Sequence, residues 1–485
     1  MEISQDNQRI SYLGKLNEAK AAVEAKDYEK AWKLANEVLA INFNESAAIF
    51  LLGYIALQHE QLGLAYNLNR MAHYMVPHRA EPLNNMGMCF SERWANPDDL
   101  QEAENCFRSA LEAEPDDPFA YNNLSLCAIH KCQPHEAIKY ADLALKAKPG
   151  MIQALDNKAL ACLMVQDWAT GWECYEAALG HIKERKERVY CDPPEPRWDG
   201  KHANTIVLYQ EQGIGDVISF GTILPDALSL IENPILEVDA RLQGLFERTF
   251  PKAKVYGTYY KNEVPWTDDY QIDGRIAFGS LGRLFRRNAK EFPGTPYLVA
   301  DTERRIQWRA LLDSLGSKPK IGIAWTGGIP KTGTQKRSLS LEALAPILKS
   351  VDADWISLQY KDARDEIAAF HGKHGVKIHH WRRAAEAWDY DETAALVAEL
   401  DLVISVTTAV VHLSGALGKE CWVLAPAKPR WFYQMQGEKI PWYNSIEMFR
   451  QDVKFNWPID DVSRRLKNWV SRRESTPSQK LVASI

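Results

Sequence analysis

A β-rich run, Thr205–Gln210, leads into EQGIGDVISFGTILP at residues 211–225. Gly213 and Gly215 allow a tight strand-to-helix turn, and Asp216 opens the helix. Such a start presents backbone N–H groups that suit an anion or a hydroxyl-rich ligand. Asp216 reads either as a carboxylate able to take a proton or as a plain helix cap. A dinucleotide fold, with Asp239 ending the next strand, needs Gly at position 218, where the chain has Ile218. A second turn, Thr407-Thr408-Ala409, also feeds a helix whose N–H groups can meet phosphate. His412 sits one turn in, either facing a cleft or packed as an ordinary helix histidine.

These turns need parallel α/β scaffolding, and the second half of the chain has its signature of strands alternating with helices. One set of strands is expected near Thr205–Gln210, Ile235–Ala240, Lys254–Gly257 and Tyr270–Ile276. A second is expected near Lys320–Thr326, Asp354–Tyr360, Val376–Trp381, Leu400–Ser405 and Glu420–Ala425. A late helix, about Ile459–Arg473, is expected to cross back to the first set.

The first half repeats instead, at the period of about 34 residues expected for tetratricopeptide helix pairs. Gly53, Ala65, Ala72 and Pro77 recur as Gly87, Ala103, Ala110 and Pro115, then as Ser125, Ala137, Ala144 and Pro149. The row from Gly87 to Pro115 carries extra residues around Trp94-Ala95-Asn96-Pro97. Small residues let paired helices approach, and Pro stops the second helix because it has no N–H to donate. The expected domains are therefore 1–185, a helical repeat array; 186–202, a Pro-rich linker; and two Rossmann-like domains, 203–300 and 301–485. Asn85, Asn122 and Asn123 recur on first helices. A ladder of amides there suits either an extended peptide backbone or polar contacts between helices.

Together EQGIGDVISFG, the preceding PRWDG at Pro196–Gly200 and the run Asp401–Pro426 resemble one family. It is the bacterial group joining tetratricopeptide repeats to a family-9-like, heptosyltransferase-like glycosyltransferase domain. IGIAWTGG at Ile321–Gly328, KRSLSLEAL at Lys336–Leu344, WFYQ at Trp431–Gln434 and PWYNSIEMFRQ at Pro441–Gln451 extend the likeness across almost the whole chain. The resemblance implies an α array followed by the paired-Rossmann GT-B fold, with a nucleotide-sugar donor as substrate and no cofactor. It implies Asp216 as general base, with Glu211, Gln212, Gly213 and Gly215 on the acceptor side. Trp325, Lys336, Arg337, Thr407, Thr408 and His412 then face the donor, whose leaving diphosphate a fixed cation stabilises. Relatives carry Asp where this chain has Thr407, which puts a binding scaffold with an inactive transferase half beside the enzyme reading. A glycan-assembly enzyme, with the repeats serving only assembly, is the third.

Asp352-Ala353-Asp354 and Asp389-Tyr390-Asp391 match the D-x-D pattern of metal-dependent glycosyltransferases, but they lie outside the motif-rich turns. Asp391 is expected to cap the helix at ETAALVAEL, and no metal is expected. With 485 residues and a net charge of −6, the chain lacks the basic balance of a nucleic-acid binder. No apolar run reaches the roughly 18 to 20 residues that span a bilayer. The polar start MEISQDNQRI and the thiols at apolar helical positions (Cys89, Cys106, Cys127, Cys162, Cys174) point to the cytoplasm. The expected partners are a nucleotide sugar and a protein or peptide acceptor recruited by the repeats.

Overall fold

The computed structural model describes residues 2–93, 97–182, 185–258, 264–328, 337–385, 389–452 and 454–475. Two compact units divide at Cys162 and Leu163.

The first unit is a run of helical hairpins: α1 (Glu2–Glu24) with α2 (Tyr28–Ile41), α3 (Ser46–Gln58) with α4 (Leu62–Met75), α5 (Ala80–Arg93) with α6 (Pro97–Ala113), and α7 (Pro118–His130) with α8 (Pro134–Ala147). The division between units falls within α9 (Ile152–Met164). First helices of successive hairpins also stack, α1 on α3, α3 on α5 and α5 on α7. Pro77, Pro115 and Pro149 each follow just after the end of a second helix, as the missing N–H requires. The repeating glycines mark where paired helices touch. A Cβ at Gly87 would lie 2.4 Å from the buried Phe107 ring, whereas one at Gly63 would meet nothing within 4 Å. Gly87→Ala is therefore expected to cost about 1–3 kcal/mol by overpacking, which outweighs its helix-propensity gain of about 1 kcal/mol. Gly63→Ala is expected to stabilise by roughly 0.5–1 kcal/mol. Thermal melts of the pair check the opposite signs.

After the end of α9, the second unit holds α10 (Trp168–Ala178) and two parallel sheets. The first combines β1 (Ala203–Tyr209), β2 (Ile231–Asp239), β3 (Lys254–Thr258) and β4 (Gly274–Ala277) in the order β3-β2-β1-β4. Between these strands lie α11 (Ile214–Gly221), α12 (Leu224–Leu228) and α13 (Gln243–Thr249), with α14 (Leu281–Phe285) and α15 (Thr302–Asp313) after them. The second sheet holds β5 (Lys320–Ala324), β6 (Asp354–Ser357), β7 (Ile378–His379), β8 (Leu402–Val406), β9 (Cys421–Ala425) and β10 (Ile446–Arg450). Its order is β10-β9-β8-β5-β6-β7. Its helices are α16 (Leu341–Leu348), α17 (Arg364–His374), α18 (Arg382–Ala385), α19 (Tyr390–Glu399), α20 (Ala409–Ala416) and α21 (Ile459–Ser475). Strand order reverses between β5 and β8, and between β1 and β4. Open parallel sheets take ligands at the carboxyl ends of the strands beside such a reversal.

Three features differ from the sequence expectations. The segment read as a linker packs along β4: the Arg275 N–H donates to the Pro196 carbonyl (3.0 Å), and the Trp198 N–H to the Arg275 carbonyl (2.8 Å). Its Glu187 and Glu195 pair with the buried Arg275 guanidinium, so its charges neutralise a core cation. The late helix α21 does not cross back. Its Val462 and Leu466, one turn apart, join the core of the second sheet with Trp422 and Phe449, and Arg465 pairs with Glu447. The strand β10 was not expected at all. It pairs in parallel with β9, from Ile446 against Cys421 to Arg450 against Ala425.

Candidate functional site

A cavity of about 400 Å³ opens in the second unit where the two reversal points face one another. Gly213, Ile214, Gly215 and Asp216 line it from the turn after β1, and Ala324 and Thr407–Val410 from the ends of β5 and β8. The walls come this close because α11 packs on α20 at a glycine. A Cβ on Gly215 would sit 3.4 Å from both the Ala409 Cα and the His412 ring.

Asp216 lies in the first turn of α11, whose N-cap is Gly213 rather than Asp216. Burial pushes its carboxyl pKa up, against the pull of Arg430, the Gly213 and Asp216 N–H groups and Arg337. The net rise moves it toward the range in which a carboxylate accepts a proton well near neutral pH. Arg337 and Arg430 line the same cavity. Burial lowers the Arg337 pKa, and repulsion from Arg430 lowers it further. Two guanidinium groups repelling each other across one cavity suit an anion with several oxygens, each fork able to hold two. Thr408 is the N-cap of α20, with no side-chain hydrogen bond to the helix, and the start of α20 adds N–H groups on the same wall.

His412 also lines the cavity, but both ring nitrogens are engaged. Nδ1 meets Ser219 Oγ at 2.7 Å and Nε2 meets Tyr433 Oη at 3.0 Å. Ser219 gives its own proton to the Gly215 carbonyl (2.9 Å), so Nδ1 carries the ring proton and Nε2 accepts from tyrosine. Burial pushes the pKa down to about 3, so the ring is neutral. His412 therefore ties α20 to α11 and supplies no charge to a phosphate.

Other expected residues fall elsewhere. The Trp325 ring is buried in the core of the second sheet and donates to Glu366 (3.0 Å), away from the cavity lining. Lys336 lies outside the described residues. Asp352 and Asp354 pair with Lys318 and Lys320, and Asp389 and Asp391 with Arg304 and Arg248. Asp389, not Asp391, caps α19, its carboxylate accepting from the Asp391 N–H. No group of three or more His, Cys, Asp or Glu poised for a metal ion occurs among the described residues. In the first unit, Asn85 donates to Asn69 (3.1 Å), Asn122 to Asn123 (3.4 Å) and Asn123 to Asn84 (3.5 Å). Asn157 donates to Asn122 (3.0 Å), so the amides link successive repeats.

Glu211 and Gln212 stand behind the turn rather than in the cavity. Burial pushes the Glu211 pKa from 4.5 up to about 7. Ionised Glu211 thus costs the fold stability that is intact below pH 4.5 and lost as pH rises to about 7. Glu211→Gln is expected to gain on wild type in melting temperature between pH 5 and pH 8. A difference independent of pH contradicts the burial argument.

Sequence reasoning missed Arg430, Tyr360, Tyr433, Arg241 and Tyr390, all of which line the cavity. Arg430 and Tyr433 did carry a signal, since they border or belong to the WFYQ run. Arg241, paired through Nε with Asp239 (2.8 Å), had none.

No family model matches the chain. It is 25% identical to Protein FlbA of Caulobacter vibrioides over 527 residues, covering 92% of this chain and 88% of that protein. A stretch of 95 residues, 20% of the chain, is 26% identical to the peroxisomal targeting signal receptor of Saccharomyces cerevisiae, covering 14% of that protein. Among solved structures, a thermophilic tetratricopeptide protein of Thermus thermophilus is 14% identical with a TM-score of 0.32, covering 34% of this chain and 89% of that one. PilF of Pseudomonas aeruginosa is 17% identical with a TM-score of 0.32, covering 36% and 77%. The chain is an array of paired helices followed by an α/β region of two parallel sheets.

Proposed function

We propose that the α/β region is a GT-B glycosyltransferase that moves a sugar from a nucleoside-diphosphate donor to an acceptor hydroxyl. One observation carries this reading: a carboxylate with a raised pKa and two guanidinium groups line one cavity at the strand ends of two parallel sheets. The acceptor oxygen attacks the anomeric carbon as its proton passes to Asp216. The bond from that carbon to the phosphate oxygen breaks, and the electron pair leaves with the diphosphate. Arg337, Arg430 and the α20 N–H groups stabilise the charge that develops there. Attack from the face opposite the leaving group inverts the anomeric centre. The cations of this site are side chains of the protein, so the mechanism calls on no metal.

The repeats supply the acceptor in this reading, which is a protein or peptide. Their amide ladder offers donors and acceptors at regular spacing, although many are committed to one another. Native mass spectrometry after incubation with a panel of nucleotide sugars is the test of the donor class. A mass increment for one nucleoside-diphosphate sugar supports it. Failure of the whole panel, with the protein folded, favours a scaffold without transferase activity.

A further inference from the structure

Helix α11 starts at Gly213, with no side-chain cap to fix the turn that carries Asp216. The three residues just before it hold the turn instead. Gln210 Oε1 accepts from the Asp239 N–H at the end of β2 (2.6 Å). Glu211 Oε1 accepts from the Gly279 N–H just past β4 (3.1 Å). Glu211 and Gln212 then meet at one hydroxyl on α10. Tyr175 Oη donates to Glu211 Oε1 (3.0 Å) and accepts from Gln212 Nε2. A tyrosine hydroxyl fills both roles in a single orientation.

Tyr175 has little freedom of its own. The Arg185 guanidinium lies 3.9 Å from its ring centroid and donates to its carbonyl (3.2 Å), while Trp172 packs edge-on at 5.6 Å. Gly279 makes the approach possible, since a Cβ there would fall 2.5 Å from the Tyr175 hydroxyl. Glu211 Oε2 is buried with no hydrogen-bond partner among the described residues, so the other oxygen carries the anchoring of this carboxylate. Packing this dense is more than a surface turn needs, and it converges on one hydroxyl.

We propose that Tyr175 is a positioning residue for the Asp216 turn, acting through Glu211 and Gln212. Its effect on transfer rests on the reading of Asp216 given above; its effect on the turn does not. Tyr175→Phe keeps the ring and its stacking and removes only the hydroxyl. Hydrogen exchange in the Phe variant is expected to quicken roughly 10-fold at the amides of residues 213–217, the scale of one or two lost hydrogen bonds. Amides of β8 and α20 should keep wild-type rates. Gln212→Ala, which removes one of the two links to the hydroxyl, should give a smaller rise at the same amides. In transfer assays the Phe variant should lose kcat by roughly 10- to 100-fold with donor KM unchanged, as a misplaced base requires. Unchanged exchange at 213–217 in a folded Phe variant overturns the proposal, and so does a rise spread evenly over the second unit. Wild-type protein inactive with every donor would count against the transferase reading alone, because the exchange result stands without it.

Discussion

Asp216→Asn is expected to fold and bind donor like the wild type while losing sugar transfer by about 10²- to 10⁴-fold, the contribution of a positioned base. Amide and carboxylate have nearly the same shape, and an amide oxygen can accept from the Gly213 and Asp216 N–H groups that now favour the carboxylate. Structure alone therefore gives the substitution little to disturb. Asp216→Ala would remove those hydrogen bonds as well and confuse the two roles. Because burial raises the Asp216 pKa, wild-type transfer should fall on the acid side at a higher pH than an exposed aspartate would give. That acid limb should be absent from the residual activity of the Asn variant. Single-turnover transfer across pH, beside a thermal melt, checks both points. Full activity in the Asn variant would assign Asp216 to structure.

Arg430→Ala and Arg337→Ala are each expected to weaken nucleoside-diphosphate binding by about 1.5–3 kcal/mol, roughly 10- to 150-fold. Each removes a charge-assisted donor pair from a cavity in which the two cations already repel. Arg→Lys should recover only part of the affinity, since an ammonium lacks the two-pronged fork that matches phosphate oxygens. The two losses should not add, because either remaining guanidinium can shift toward the anion once its neighbour is gone. Calorimetry with UDP, GDP and ADP measures the effect. Equal affinity for wild type and both Ala variants would remove the arginines from the site.

The strands that frame the site were legible because they are short apolar runs set between glycine- and proline-marked turns. β1, β5 and β8 all begin within a few residues of their expected starts. The two glycine- and threonine-bearing turns were legible for the same reason, and they do meet at one cavity. Three-dimensional neighbours were not. Trp325 stands in a motif beside the site, yet its ring turns into the sheet core because a strand alternates faces and the cavity lies off its end. His412 was placed correctly on its helix, but its partners Ser219 and Tyr433 come from elsewhere in the chain, and they set its role. Arg430 lies just before an aromatic run that drew attention first, and nothing in its spacing marked it as facing Arg337. The path of α21 depended on which groove would accept Val462 and Leu466, and that is a property of the assembled sheet.

A structure of the protein with bound nucleoside diphosphate, soaked with whichever of UDP, GDP and ADP binds most tightly, shows whether this cavity is the donor site. The two phosphates are expected between Arg337 and Arg430, against the start of α20, with the Asp216 carboxylate facing the side from which the sugar would be attacked. A nucleotide bound tightly elsewhere on the chain, or phosphates remote from both arginines, would contradict it.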